Sequence, residues 1–104
     1  MALNLVELNE INFDIVRRYI EEGESLPAFK QIIQQGVLTT SSESEYENIE
    51  PWIQWPSIHL GKSFKEHQIF RLGDSIHSDQ EQIFEKLEKA GFTVGAISPM
   101  NTRN

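Results

Sequence analysis

The chain has 104 residues, of which 38% are hydrophobic and 24% are charged, and its net charge is -7. These values are ordinary for a folded globular protein of one modest core, so they predict a single domain over residues 1–104. The acidic excess disfavours nucleic-acid backbones and anionic membranes as partners, and the lack of cysteine excludes disulfides and thiolate metal sites.

The first apolar run, at residues 3–8, is short and is interrupted by Asn4 and Glu7. A signal peptide has a longer apolar stretch after a basic start, and a membrane span needs about 20 apolar residues. The run therefore predicts a first strand. Because it is neither a signal peptide nor a membrane span, the expected location of the protein is the cytoplasm.

Two helices are predicted after this strand. Apolar residues from Phe13 to Ile20 fall on one helical face, and Gly23 is a suitable stop for that helix. The same apolar spacing recurs between Pro27, which suits a first helical turn, and Gly36, which closes the second helix.

Further strands are predicted at residues 37–40 and 92–97, with helices between them. The last of these helices is expected to start at the capping box formed by Ser78 and Glu81 and to end at Gly91. The order of strand, helices, strand, helices and strand predicts an α/β fold, in which a parallel sheet is flanked by helices.

The stretch at residues 50–61 holds both tryptophans and two prolines of the chain. Pro51 suits the first position of a helix, whereas Pro56 inside that helix should kink it or delay its start. Trp52 and Trp55 are three residues apart and so share a helical face, which favours a role in the core.

Several motifs together resemble one protein family. They are residues 6–14, residues 20–23, Leu26-Pro27 with Phe29, Gln35-Gly36-Val37, Trp55-Pro56-Ser57, Leu60-Gly61 and Glu66-His67-Gln68-Ile69. The pattern resembles the opening of the alkaline phosphatase-like superfamily, and within it the type I phosphodiesterase/nucleotide pyrophosphatase branch. The resemblance implies a three-layer α/β fold and a two-metal hydrolase site at the strand carboxyl ends. Because it covers only the first portion of such a domain, the chain is expected to be an N-terminal fragment.

The resemblance also suggests where a metal would bind. The family has a metal-binding aspartate at the end of its first strand, where this chain has Asn9, and Glu10 replaces the usual glycine. An asparagine oxygen is a weaker ligand for a divalent cation than a carboxylate. The expectation is a divalent metal such as zinc at Asn9 and Glu10; the alternative is that Asn9 only bonds its own backbone at a strand end.

The family places its nucleophilic serine or threonine at the N-terminus of the helix after the second strand, where free N–H groups favour an anion. Aligning the motif at residues 60–61 brings Glu50 to that place, and aligning the motif at residues 55–56 brings Gln54 there. Neither supplies a hydroxyl. Glu50 and Gln54 are the candidate catalytic residues, and for Glu50 the alternative is helix capping.

The C-terminal residues leave the last predicted strand at the edge where α/β sheets hold ligands. Asn101 and Arg103 are therefore candidates for binding a polar or anionic substrate. A helix normally follows such a strand, so an ending at this point predicts a truncated chain.

The three histidines, His59, His67 and His77, lie eight and ten residues apart and match no compact metal motif. His67 matches a family histidine but is expected to be a turn residue rather than a ligand. A second turn is predicted at Gly73 and Asp74, since glycine permits a positive φ and aspartate stabilises the bend.

Two functions are expected from these observations. The first is a metal-dependent hydrolase of a small-molecule phosphoester, inactive as this fragment because a two-metal site needs more ligands than it offers. The alternative is a non-catalytic protein of the same fold that binds a polar ligand or a protein partner. Uncovered apolar faces also predict that the fragment self-associates.

Overall fold

The computed structural model describes residues 2–103. They belong to two compact units, one ending at Thr40 and the other starting at Ser41. The first unit contains the helices α1 (Phe13–Glu21) and α2 (Pro27–Gln35). The second unit contains α3 (Pro51–Leu60), α4 (Phe64–His67) and α5 (Ile83–Lys89), together with 3₁₀ helices at Tyr46–Asn48 and Asp74–His77.

The predicted parallel sheet is wrong, because no residue between 2 and 103 lies in a β-strand. The three segments predicted as strands are irregular, and they leave large apolar side chains such as Leu3 and Leu38 exposed. A strand forms only where a neighbouring strand exchanges backbone hydrogen bonds with it, whereas an apolar run by itself indicates only a tendency to be buried. The fold class of the described residues is therefore helical rather than α/β.

In the first unit, α1 and α2 confirm the two helices predicted there. The Asn12 side-chain oxygen caps α1 by accepting a hydrogen bond from the Asp14 backbone N–H at 2.8 Å. Val16 is the buried residue of α1. Phe13 and Phe29 pack edge to face with ring centroids 6.2 Å apart, which joins the two helices.

In the second unit, α3 starts at Pro51, as the sequence predicts, and Pro56 lies inside it without delaying its start. Trp55 stacks on His59 with ring centroids 5.9 Å apart, and His59 meets Phe84 edge-on at 5.0 Å. These ring contacts pack α3 against α5, so α3 supplies much of the core of this unit.

The short helix α4 is stabilised at its N-terminus by two carboxylates. Glu66 accepts hydrogen bonds from the Ser63 hydroxyl at 2.7 Å and from the Ser63 backbone N–H at 2.9 Å. These bonds lower the pKa of Glu66. Glu43 accepts a bond from the Phe64 backbone N–H at 2.7 Å. The N–H groups of Ser63 and Phe64 at this helix end are thus paired within the protein.

The predicted start of α5 is wrong. Its capping box is formed by Gln82 and Glu85, and the backbone N–H of Gln82 donates to the Glu85 carboxylate. The Ser78 hydroxyl instead accepts a bond from the backbone two residues further on. The Glu81 carboxylate pairs with Lys89. Ser78–Glu81 and Gln82–Glu85 both have the spacing of a capping box, and only the second pair caps α5.

Candidate functional site

The main candidate site is a groove in the second unit, which we call the apolar groove. Its volume is about 540 Å³, within the range of roughly 300–1,000 Å³ that is typical of ligand pockets. Its lining residues are Tyr46, Glu47, Glu50, Trp52, Ile53, Phe70, Arg71 and Leu72. They come from the first 3₁₀ helix, the start of α3 and the segment after α4.

The apolar groove combines a buried base with exposed apolar edges. Ile53 is fully buried, whereas Tyr46, Phe70 and Leu72 are exposed although they are large and apolar. Scattered exposed apolar side chains are normal, but a contiguous group around a concavity is typical of an interaction site.

Asn101 joins two sides of the apolar groove. It is 6% exposed, and its amide nitrogen donates to the carbonyl of Trp52 at 2.6 Å and to that of Arg71 at 3.1 Å. Its amide oxygen accepts from the Gly73 N–H and from the Ser75 hydroxyl, both at 2.9 Å. These four bonds use both N–H donors and both lone pairs of the amide. Within the described structure, the residue predicted to bind substrate holds α3 against the turn at residues 71–75.

That turn confirms the bend predicted at Gly73 and Asp74. Gly73 has a φ of 94°, which favours glycine, and the Asp74 carboxylate accepts bonds from the N–H groups of Phe70 at 3.2 Å and Arg71 at 2.8 Å. The turn thereby fixes the backbone that carries three of the groove's lining residues.

The two predicted catalytic residues lie at the start of α3. Glu50 is the N-cap residue, and its backbone carbonyl accepts from the N–H groups of Ile53 at 2.9 Å and Gln54 at 3.0 Å. Its side chain makes no capping bond and is exposed beside the groove. The side-chain amide of Gln54 donates to the Ile49 carbonyl. Glu50 is therefore available to a partner, whereas the amide nitrogen of Gln54 is used locally.

Arg103 connects the C-terminal segment to α5. Its Nε donates to the Glu85 carboxylate at 3.0 Å, and its terminal nitrogens donate to the carbonyls of Ser78 at 2.7 Å and Gln80 at 3.3 Å. It also lines a second cavity of about 630 Å³ beside α5. Substrate binding by Asn101 and Arg103 stays a prediction, while the described contacts give both residues structural roles.

Asn9 and Glu10, the residues predicted to bind a metal, belong to the first unit, and metal binding by them stays a prediction. They lie in an exposed turn of the first unit, and Glu10 has a φ of 58°. Together they offer one amide oxygen and one carboxylate, fewer than the four ligands typical of zinc. Between residues 2 and 103, no group of three or more His, Asp or Glu side chains is arranged to hold a metal ion.

A hydrogen-bonded chain of four residues passes through the second unit, and we call it the Ser57–His67 chain. The Ile69 backbone N–H donates to His67 Nδ1 at 2.9 Å. His67 Nε2 and Ser57 Oγ are 2.9 Å apart, and Ser57 Oγ donates to the Ile53 carbonyl at 3.3 Å.

The Ser57–His67 chain determines which ring nitrogen carries the proton. Because a backbone N–H can only donate, Nδ1 of His67 must accept, and the proton of the neutral ring is on Nε2. Nε2–H therefore donates to Ser57 Oγ, so in this arrangement the ring cannot act as a general base toward that hydroxyl. His67 ends α4 rather than lying in a turn. Sequence spacing gave no signal of the pairing, since the two residues are ten positions apart.

No protein-family model, curated protein sequence or solved structure matches this chain. The resemblance to the alkaline phosphatase-like superfamily therefore stays a prediction that depends on the motifs in the sequence. Across residues 2–103, every helix is too short or too polar to cross a bilayer.

Proposed function

We propose that the second unit is a non-catalytic, protein-binding module, acting in the cytoplasm, whose apolar groove receives a basic amphipathic segment of a partner protein. The observation that carries this proposal is the concavity of about 540 Å³ with large apolar side chains exposed around it. Burying one Leu or Phe side chain of a partner there would contribute about 1.5–3 kcal/mol.

The charge around the apolar groove indicates the chemistry of the partner. Residues 43–50 contain four glutamates, and two of them, Glu47 and Glu50, line the groove against one guanidinium, that of Arg71. Lys or Arg beside the inserted apolar side chain would complement this rim. A second copy of the chain is a poorer occupant, because two chains of net charge -7 repel each other.

A fluorescent peptide tests the proposal directly. The probe is a synthetic amphipathic peptide with Leu and Phe on one face and Lys on the other, and its anisotropy should rise saturably with protein concentration. Replacing Leu72 with serine is expected to weaken binding about tenfold, because part of the buried apolar area is lost. Added salt should weaken binding further, because it screens the attraction between Lys and the rim.

The matched control is Ile76→Ser. Ile76 is 64% exposed and Leu72 is 70% exposed, but only Leu72 lines the apolar groove. Equal losses for the two variants would reject the groove as the site. A peptide with Glu in place of Lys should bind weakly, and sedimentation velocity distinguishes peptide binding from self-association of the chain. The self-association expected from the sequence stays a prediction that the same experiment measures.

The second candidate function is the phosphoester hydrolase implied by the family resemblance. One observation favours it: the Glu50 carboxylate is exposed at the start of α3, where a metal or a proton can reach it. Divalent-metal content and turnover of a chromogenic phosphodiester should be measured on the protein and on its Glu50→Gln variant. A hydrolase requires bound metal and turnover, and Glu50→Gln should reduce the turnover by at least about tenfold. Absence of both metal and turnover would remove this candidate.

A further inference from the structure

The Ser57–His67 chain ends at one residue that lines the apolar groove and at another that directly precedes a lining residue. At one end it bonds the carbonyl of Ile53, which lines the groove, and at the other it bonds the N–H of Ile69, which directly precedes the lining residue Phe70. We propose that His67 is a pH-sensitive latch on this groove, which releases the backbone at Ile69 when its ring is protonated and so lowers affinity for the basic partner in acid. This inference rests on the proposed function, whose site it regulates.

The latch follows from the directions of the hydrogen bonds. A neutral ring with its proton on Nε2 satisfies every member of the chain. A protonated ring carries a hydrogen on Nδ1 as well, and that hydrogen points at the N–H of Ile69, which can only donate. Two donors then face each other in a buried place, so the Ile69 bond breaks. The segment leading to Phe70 then loses one of the bonds that hold it and keeps those from the Phe70 and Arg71 N–H groups to Asp74.

The surroundings of His67 favour its neutral ring in the closed latch. The ring is 3% exposed, and burial lowers its pKa below the usual value of 6.5. Glu43 raises the pKa, Lys62 lowers it and Glu66 raises it, in decreasing order of effect. From the segment before α5 the contact is uncharged, since the Gln80 amide donates to the His67 carbonyl at 3.0 Å. Acidic neighbours therefore reduce the effect of burial without reversing it.

The sign of the pH dependence follows from these pKa values. Well above pH 6.5 the ring is neutral whether the latch is closed or open, and the closed state has its full stability. As the pH falls through 6.5, the open latch takes up a proton that the closed latch resists, so the open state gains population. The same linkage makes unfolding easier over this range, since the pKa of His67 is lower in the folded chain.

The test measures affinity for the basic amphipathic peptide at about pH 7.5 and about pH 5.5, on either side of the ordinary histidine pKa. We expect a fall of about three- to tenfold for the wild type. His67→Gln, which cannot take up a proton, should lose this fall, whereas His77→Gln should retain it because His77 is exposed and outside the chain. An unchanged pH dependence in His67→Gln, or no fall in the wild type, overturns the proposal.

Nitrogen NMR of the histidine rings tests the latch without the peptide. The neutral His67 ring should carry its proton on Nε2, and amide exchange at Ile69 should accelerate below about pH 6.5, relative to the intrinsic rate at each pH. A neutral ring with its proton on Nδ1 would overturn the latch even if the peptide binds. So would an amide exchange rate at Ile69 that, relative to the intrinsic rate, does not change with pH. If the ring behaves as expected and the peptide fails to bind at either pH, the proposed function fails instead.

Discussion

Replacing Asn101 with alanine is expected to destabilise the second unit by about 3–5 kcal/mol. The change removes four hydrogen bonds made by one amide, two to the carbonyls of Trp52 and Arg71 and two from the Gly73 N–H and the Ser75 hydroxyl. The backbone at this position has a φ of 56°, in the left-handed region. Asparagine tolerates this conformation better than alanine does, so the substitution also adds backbone strain.

Tryptophan fluorescence during urea unfolding is the measurement, because Trp52 and Trp55 are the only tryptophans and both lie in the second unit. Asn101→Gly separates the two effects, since glycine tolerates the backbone angle but lacks the amide. The control is Ser98→Ala, at an exposed residue with a similar φ of 51°. If Asn101→Ala unfolds at nearly the wild-type urea concentration, Asn101 does not hold the groove together.

Replacing Ile53 with alanine is expected to cost about 2–5 kcal/mol of the same unfolding free energy. Ile53 is fully buried in α3 below the apolar groove, so truncation both removes apolar contacts and leaves a cavity. The variant should also bind the basic peptide more weakly, because the base of the groove would no longer be filled.

Ile58→Ala is the matched control for this prediction. It is the same substitution in the same helix, but Ile58 is 60% exposed, so the expected change is within about 0.5–1 kcal/mol. Since the change in helix propensity is the same for both variants, the difference between them measures burial alone. Equal destabilisation by the two variants would contradict the packing described for α3.

The helices of the first unit and the start of α3 could be predicted because their signals are local. An amphipathic stripe between Phe13 and Ile20, and a proline at position 27 or 51, act within a few residues of the backbone that they shape. The turn at Gly73 and Asp74 could be predicted for the same reason, because these two residues themselves favour the bend. The start of α5 is not predictable in the same way, because Ser78–Glu81 and Gln82–Glu85 both have the spacing of a capping box and only the second pair caps the helix.

The candidate site was partly visible in the sequence. The sequence indicates Glu50 as a carboxylate at a helix start, and the structure places it beside the apolar groove. The sequence indicates Asn101 and Arg103 as polar residues near a functional edge, but it does not indicate their hydrogen-bond partners, which lie 18 to 49 residues away in the chain. The bond between Ser57 and His67 had no signal in sequence spacing at all.

Composition, helix caps and apolar periodicity thus determined, from the sequence by itself, an acidic cysteine-free chain with helices at α1, α2 and α3. Whether residues 3–8, 37–40 and 92–97 form a sheet was decided only by the tertiary structure, because a strand depends on a partner distant in sequence. The tertiary structure also decided which side chains line the apolar groove and which ring nitrogen of His67 carries the proton. Both depend on hydrogen bonds between segments that only folding brings together.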